Sequence, residues 1–494
     1  MSACLSAHDN TPILVGWGTA TRREENFEQA LEPMDLMLEA VAAAGKDSQS
    51  RSVLQGLQHI AVPRGRWTYR NPAGEIARRF SALNATTVSA SVGVLQQSLV
   101  GEACARIARG EVHTAMVTGA DAGYRLLRAQ IAGRSVIDRE QHDEPDIDLK
   151  PADELRHPVE KRSGLHMPAG LYAMMDSAFR ARQGWTVAEH RDRLAILWSR
   201  FAQIAANNPH AWNTEAISAA SIREPSRHNP MQAFPYTRFH CSSWNVDQAA
   251  ALLFCSVARA QELGIPKSKW IYPVVSTESN HMVAVSARDD LTRVPGARIA
   301  GEAALAAAEL TPDDIDLIDF YSCFPLAIET YAEALGLSLK RDLTVTGGMA
   351  FAGGPYNNYF LQATCRIAEL LRQGKGRRAL QSCVSGVVTK QGFGVWSIDR
   401  PGVEYFHADL SDAVAQEMPV REVLEHFSGD ACVAGYTVLH GRGQLPRGVV
   451  LVDTSAGQRA MATSENPGMI ESMQDYELVG KKVRIQADAI QSIL

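Results

Sequence analysis

Two stretches lying more than half the chain apart repeat one pattern. The helix read at Val100–Arg109 stops at Gly110 and leads into the strand HTAMVTG; the helix read at Ala363–Gln373 stops at Gly374 and leads into RALQSC, Arg378–Cys383. A helix–glycine–strand unit that recurs this way indicates two similar βαβ halves, a duplicated α/β core. The order of elements around the first copy agrees. Strands are expected at Pro12–Ala20, His59–Val62, Thr86–Ser89 and His113–Gly119, with helices at Pro33–Ala44, Pro72–Phe80 and Leu95–Ala108. Strands that alternate with helices form a mostly parallel sheet. The pattern resumes at Ile271–Ser276, with a helix at Ala297–Leu310.

Between the halves the rhythm breaks. From about residue 124 to 266, the charged run DREQHDEPDID and turn-rich segments interrupt helices at 170–182 and 187–206, and an apolar helix is expected at Ala249–Leu263. So long an interruption is a subdomain or a functional segment. After Pro401 the composition shifts again. A charged connector, 403–426, precedes four strands, 430–441, 448–453, 458–463 and 481–488, joined by short turns without helices. They predict a small antiparallel barrel similar to an OB-fold. The expected division is therefore 1–123, 124–266 (its end rejoining the first half), 267–400 and 401–494.

With 49 Lys+Arg against 55 Asp+Glu, the net charge of −6 leaves no electrostatic footprint for nucleic acid. No apolar stretch is long enough to span a bilayer, and MSACLSAHDNTP has no basic segment before an apolar run, so a cytoplasmic protein without a secretory leader is expected. The eight cysteines, Cys4 to Cys432, are scattered without metal-ligand spacing, which predicts neither a structural metal nor a disulfide framework.

Chemistry-bearing residues collect at strand ends. In DLIDFYSCFP, Asp316–Pro325, an alternating strand ends in Tyr321, Ser322 and Cys323. Two readings stand there: a buried thiol and core phenol, or reactive groups at the end of a sheet strand, where α/β proteins place their sites. The loop GGMAFAGGPYNNY, 347–359, offers glycine backbone with Tyr356 and Asn357, and is either a ligand loop or a turn before a helix. Cys383 ends the second copy of the repeated strand. His281 and His240 are histidines of the site or of the core.

At these strand ends the chain resembles the thiolase superfamily, above all the branch of thiolase-like proteins type one, over most of residues 10–400 and again in the small barrel. The resemblance implies a duplicated five-layer α/β fold, two βαβαβαββ halves with a loop domain inserted in the first, plus the C-terminal OB-like β-barrel. Carried over motif by motif, it implies an altered site. The thiolase nucleophilic Cys falls at Gly93 in SVGVL; Ser89 and Ser91 lie nearby without a base. The HDCF motif of sterol-carrier thiolases becomes Tyr321, Ser322, Cys323, Phe324, and GHP becomes Gly353, Gly354, Pro355, without its His. The fourth motif, a Cys before glycines, matches Cys383 with the glycines displaced. A Tyr in the HDCF position is familiar from thiolase-like aldolases that cleave steroid side chains with a small OB-fold partner.

The resemblance implies a coenzyme A thioester as substrate or ligand, with no bound cofactor and no metal. Three functions are open: non-covalent carbon–carbon chemistry of the retro-aldol type, acyl transfer through Cys383 or Cys323, and non-catalytic binding of an acyl-CoA or lipid. In these, Tyr321, Cys323 and Cys383 are the catalytic candidates; Gly93, Gln96, Gly353, Gly354, Tyr356, Asn357 and His281 line the substrate. Gln97 either joins them or caps its helix. The chain is expected to be a monomer or a homodimer.

Overall fold

The computed structural model describes residues 10–494; Cys4 and the rest of the N-terminal stretch lie outside the described residues. The first half runs β1 (Pro12–Thr21), α1 (Pro33–Asp47), β2 (His59–Pro63), α2 (Pro72–Arg79), β3 (Thr86–Ala90), α3 (Gln96–Ala108) and β4 (Thr114–Ala122). The insertion then holds α4 (Gly123–Ile131), β5 (Ile147–Leu149), α5 (Pro158–Arg162), α6 (Pro168–Gln183), α7 (Val187–Ala206), α8 (Ala219–Arg223), β6 (Met231–Ala233) and β7 (Tyr236–Thr237). The chain returns to the first sheet as β8 (Asp247–Ser256) and α9 (Val257–Glu262). The second half follows as β9 (Tyr272–Ser279), α10 (Pro295–Ala307), β10 (Leu317–Asp319), α11 (Pro325–Ala334), α12 (Tyr359–Arg372), β11 (Arg378–Ser385) and β12 (Lys390–Ser397).

The duplication is visible in the pairing. In the first sheet β2 is parallel to β4, β4 antiparallel to β8, and β8 antiparallel to β1. In the second sheet β10 is parallel to β11, β11 antiparallel to β12, and β12 antiparallel to β9. Gly110 and Gly374 sit at φ +73° and +71° just past α3 and α12, the left-handed helix stop that glycine adopts without strain. The two helices of the repeat lie back to back between the sheets, with α1 and α2 outside one sheet and α10 outside the other, giving five layers.

The expected helix at Ala249–Leu263 is helical only in its second part, α9; the apolar run from Ala249 to Ser256 is strand β8. In β8, Ala250, Leu252 and Phe254 enter the core shared with the second half, while Ala249, Ala251, Leu253 and Cys255 enter the core under α1. A strand buried on both faces is apolar throughout, so no alternation marks it in the sequence. Both sheets are also mixed, because β8 and β12 run against their neighbours. At β1, a Cβ on Gly16 or Gly18 would fall 2.2 or 2.1 Å from a carbonyl oxygen of α1, which explains why glycines interrupt that strand.

The remaining elements are β13 (Phe406–Asp409), α13 (Ser411–Glu417), β14 (Gly429–Leu439), β15 (Arg447–Asp453), β16 (Arg459–Ser464), α14 (Pro467–Asp475), β17 (Lys482–Gln486) and β18 (Ala489–Ile493). Strand β13 falls inside the expected connector, yet it pairs in parallel with β9 at the edge of the second sheet. The barrel has five strands rather than four, closed in the order β14-β15-β16-β18-β17-β14, the Greek-key order of an OB-fold. It is not wholly antiparallel, since β16 and β18 run parallel. It also contains a helix. Asn466 caps α14 by accepting from the Met469 amide at 3.1 Å, and Pro467 takes the first turn, signals present in the sequence. Strand β18 follows a two-residue turn with Ala487 and Asp488 both at positive φ, without the glycine that ordinarily announces such a hairpin. Among the described residues no helix is long and apolar enough to cross a membrane.

Candidate functional site

The facing ends of α3, β10, β11 and β12 bring together residues from both halves. Asp319 closes β10 as a fully buried carboxylate that accepts from the Thr344 and Thr346 hydroxyls (2.9 Å each), the Val345 and Thr346 amides (3.0 and 3.1 Å) and the Tyr359 hydroxyl (2.9 Å). These bonds fix the chain entering the glycine loop. Just beyond Asp319, the Tyr321 amide donates to Ser382 Oγ at 2.9 Å and the Met349 amide to Ser322 Oγ at 3.0 Å. The strand end, β11 and the loop are thereby one unit.

Gln96, at the start of α3, joins the halves. Its Nε2 donates to Tyr321 Oη at 3.4 Å and to Asn357 Oδ1 at 3.2 Å, and its Oε1 accepts from the Phe360 amide at 2.8 Å. Asn357 Nδ2 is buried and has no partner, so an amide donor stands unused beside the phenol. Gln97 is not a cap: it packs across the interface and donates to Ser276 Oγ at 2.6 Å. Cys323 donates from Sγ to Tyr172 Oη of α6 at 3.1 Å, and the Tyr172 ring stacks on Phe324 with centroids 4.4 Å apart. Cys383 lies at the N-terminus of α3, where the Gln97 and Gln96 amides point at its sulfur.

Burial favours the neutral form of all three candidate catalytic groups. Burial pushes Cys323 up to about 12, although the hydroxyl of Tyr172 works the other way. Burial also pushes Cys383 up to about 12; the helix amides oppose it and the charge of Glu278 adds to it. Tyr321 is raised well above an ordinary phenol by burial, and then by both cysteines. The nucleophile in thiol chemistry is the thiolate, and burial disfavours it at both sulfurs, although Cys323 donates to Tyr172 while Cys383 accepts from the helix amides.

Position 93 cannot hold a side chain. Gly93 has φ +105°, and a Cβ there would lie 2.8 Å from Pro151 Cγ. Its carbonyl accepts from the buried Lys390 ammonium. Gly353 and Gly354 are packing residues: a Cβ on Gly353 would meet Gln248 Oε1 at 2.1 Å, and the Gly354 amide is committed to Ser243 O at 2.9 Å. Tyr356 turns outward, its ring 5.7 Å from the Arg66 guanidinium at the rim. His281 stands beside the β11–β12 turn, its carbonyl accepting from Thr389 Oγ1 at 3.3 Å and its Nε2 unpartnered. His240 is far from ligand duty, a core imidazole pulled down to about 3 by burial and bonded to Thr237 at 2.9 Å.

Sequence reasoning passed over Glu278 and Lys390. Glu278 lies in one row with Gly392 and Cys383 across β9, β12 and β11, and the glycine between them makes room for the Gln97 side chain, which a Cβ there would meet at 2.9 Å. Ser98 of α3 and Asn280 (3.0 Å) donate to its carboxylate. Burial pushes its carboxyl up to about 7, against the Ser98 bond and with the Asp409 charge. The signal was a lone acid at the end of a strand otherwise apolar or small. Lys390 is buried, and burial lowers its ammonium below the ordinary lysine value. It follows a turn in which Gly386, Val387 and Val388 are all left-handed, φ 62°, 58° and 51°. Two β-branched residues in that region store strain of about 1–2 kcal/mol each. The buried Arg288 holds the turn by donating to the Gly386 and Val387 carbonyls at 3.0 and 2.7 Å.

Residues 277–358 match the family described as thiolase C-terminal domain-like, and residues 409–489 match the thiolase-like protein type 1 additional C-terminal domain. The whole chain is similar in fold to a monomeric SCP2-thiolase-like protein type 1 from Mycobacterium smegmatis, with a TM-score of 0.82 at 24% identity over 98% of this chain and 99% of that one. An acetyl-CoA acetyltransferase of Methanothermobacter thermautotrophicus is 30% identical over 195 residues, 40% of this chain and 46% of that one. A steroid side-chain-cleaving aldolase of Thermomonospora curvata is 25% identical over 245 residues, 47% of this chain and 61% of that one. The chain thus matches about half the length of these two relatives.

Proposed function

Proceeding from a thiolase-like chain that carries the type 1 additional C-terminal domain, we propose that it acts on a β-hydroxyacyl-CoA thioester by non-covalent carbon–carbon cleavage. The observation that carries this reading is the convergence of neutral donors, Tyr321, Cys323, Cys383 and the unpartnered Asn357 amide, at a site whose nucleophile position is sealed. In the proposed step a base takes the β-hydroxyl proton and the Cα–Cβ bond breaks. The electron pair passes to the thioester as an enolate, and the hydroxyl carbon leaves as a carbonyl. Asn357 and Tyr321 stabilise the enolate oxygen by hydrogen bonding, and Tyr321 or Cys323 returns a proton to carbon. Glu278 is the nearby carboxyl whose protonation changes near neutral pH. The name of the Thermomonospora relative supports the reaction class.

The test is incubation with β-hydroxyacyl-CoA thioesters, steroid side-chain thioesters included, with mass-spectrometric detection of the carbonyl product and the shortened acyl-CoA. Tyr321→Phe and Cys323→Ala are expected to abolish turnover and leave the thermal shift produced by the acyl-CoA intact. No thermal shift with any acyl-CoA would sink the proposal. A second reading, non-catalytic acyl-CoA binding, is favoured by the burial of the three candidate groups; binding without turnover would select it. In either role the chain is proposed to act as a monomer, because β5 covers the β3 edge of the first sheet with Asp146 and Asp148 alongside. Sedimentation at micromolar concentration checks this.

A further inference from the structure

Beneath the Tyr172–Cys323 contact, α6 carries a second buried group one turn on. Asp176 of α6, His190 of α7 and Glu329 of α11 are each at most 3% exposed, and one ligating atom from each lies within 4.8 Å of the other two. Asp176 Oδ2 and His190 Nε2 are 2.8 Å apart. A second observation points to a missing ligand. Glu329 Oε2 is buried without a hydrogen-bond partner, and the hydroxyl of the fully buried Tyr236 is directed at the Asp176 carboxylate. Two carboxylates brought this close in a dry interior cost several kcal/mol unless protons or a cation compensate.

We propose that Asp176, His190 and Glu329 bind a divalent transition-metal ion, zinc, manganese or iron(II), as a structural centre that fastens the insertion to the second half of the core. The two carboxylates match the charge of a divalent ion, and the imidazole selects a transition metal over calcium or magnesium. The three donors come from helices distant in sequence, so no ligand spacing announces them. The alternative compensation is by protons. Burial pushes Glu329 up to about 8, and the Asp176 charge and bond raise His190 in spite of burial.

The experiment uses the full chain without an affinity tag, expressed in medium supplemented with the three metals and purified without chelator. Elemental analysis and the difference between native and denatured mass are expected to give about one ion per chain. Glu329→Gln and Asp176→Asn, which keep side-chain shape, should each lower the content at least tenfold with an unchanged circular dichroism spectrum. His426→Ala, at an exposed His–Asp pair, should leave it unchanged. X-ray absorption on the wild-type protein should show oxygen and a single imidazole around the ion, and this reading stands even if a variant does not fold. A metal-free chain whose melting temperature does not change on refolding with any of the three ions would overturn the proposal. So would sulfur in the coordination sphere, or full metal content in both folded variants.

Discussion

The site is defined by what its residues are prevented from doing. Cys323 and Cys383 are thiols held in the protonated form by burial, and Gly93 has both a backbone angle and a neighbour, Pro151, that exclude a side chain. A side chain at 93 is therefore opposed by the backbone itself, and placing a cysteine there would mean rebuilding the segment around Pro151. Glu278 is the counterweight, a carboxyl able to exchange its proton near neutrality. Its folded value of about 7 lies above the ordinary 4.5, so between those values the folded chain holds a proton that the unfolded chain has released. Stability from this group is then fully present below about 4.5 and falls as pH rises toward 7. Glu278→Gln should remove that part of the slope in melting temperature against pH. Where turnover is measured, it should also flatten a rise in kcat/KM centred near pH 7. An unchanged stability profile would contradict the role given to burial here.

At the scale of elements, the glycine loop is held by one carboxylate. Asp319 receives five hydrogen bonds from residues 344–346 and Tyr359, and through them the end of β10 dictates where the 347–359 loop begins. Asp319→Ala leaves those buried donors unanswered and should cost about 3 kcal/mol or more in unfolding free energy. Hydrogen exchange should quicken first in residues 343–359. A uniform loss of protection across the second half would instead mean that Asp319 supports the core as a whole.

The whole molecule is tied together along α6, where Tyr172, Asp176 and Arg180 follow one another at four-residue spacing on one face. Tyr172 meets the site, Asp176 the buried triad, and Arg180 the barrel, donating to Tyr436 Oη at 2.6 Å and to Glu477 at 2.9 Å from a side chain 1% exposed. The barrel also borrows a strand, since β6 of the insertion pairs with β14 at Ala233 and Leu439. Arg180→Ala should destabilise the chain by about 2 kcal/mol, because it takes the donor from the buried Tyr436 hydroxyl and the ion pair from Glu477. It should raise hydrogen exchange through β14 and α14 before it affects the core sheets.

What the sequence alone determined is the duplicated α/β core, the long insertion, the terminal barrel and the strand-end positions of Tyr321 and Cys323, because periodicity, glycine stops and motif order are local; Cys383 lies two residues inside β11. Its errors were also local in cause. A strand apolar on both faces looked like a helix at Ala249, and a hairpin without glycine hid β18. Only the tertiary structure decided the surroundings of each candidate group. Whether a thiol is acid or nucleophile depends on burial; whether Gly93 is a vacancy or a sealed position depends on Pro151, 58 residues away. The row that holds Glu278, Gly392 and Cys383, and the cluster of Asp176 with His190 and Glu329, bring together residues from separate elements that no spacing connects.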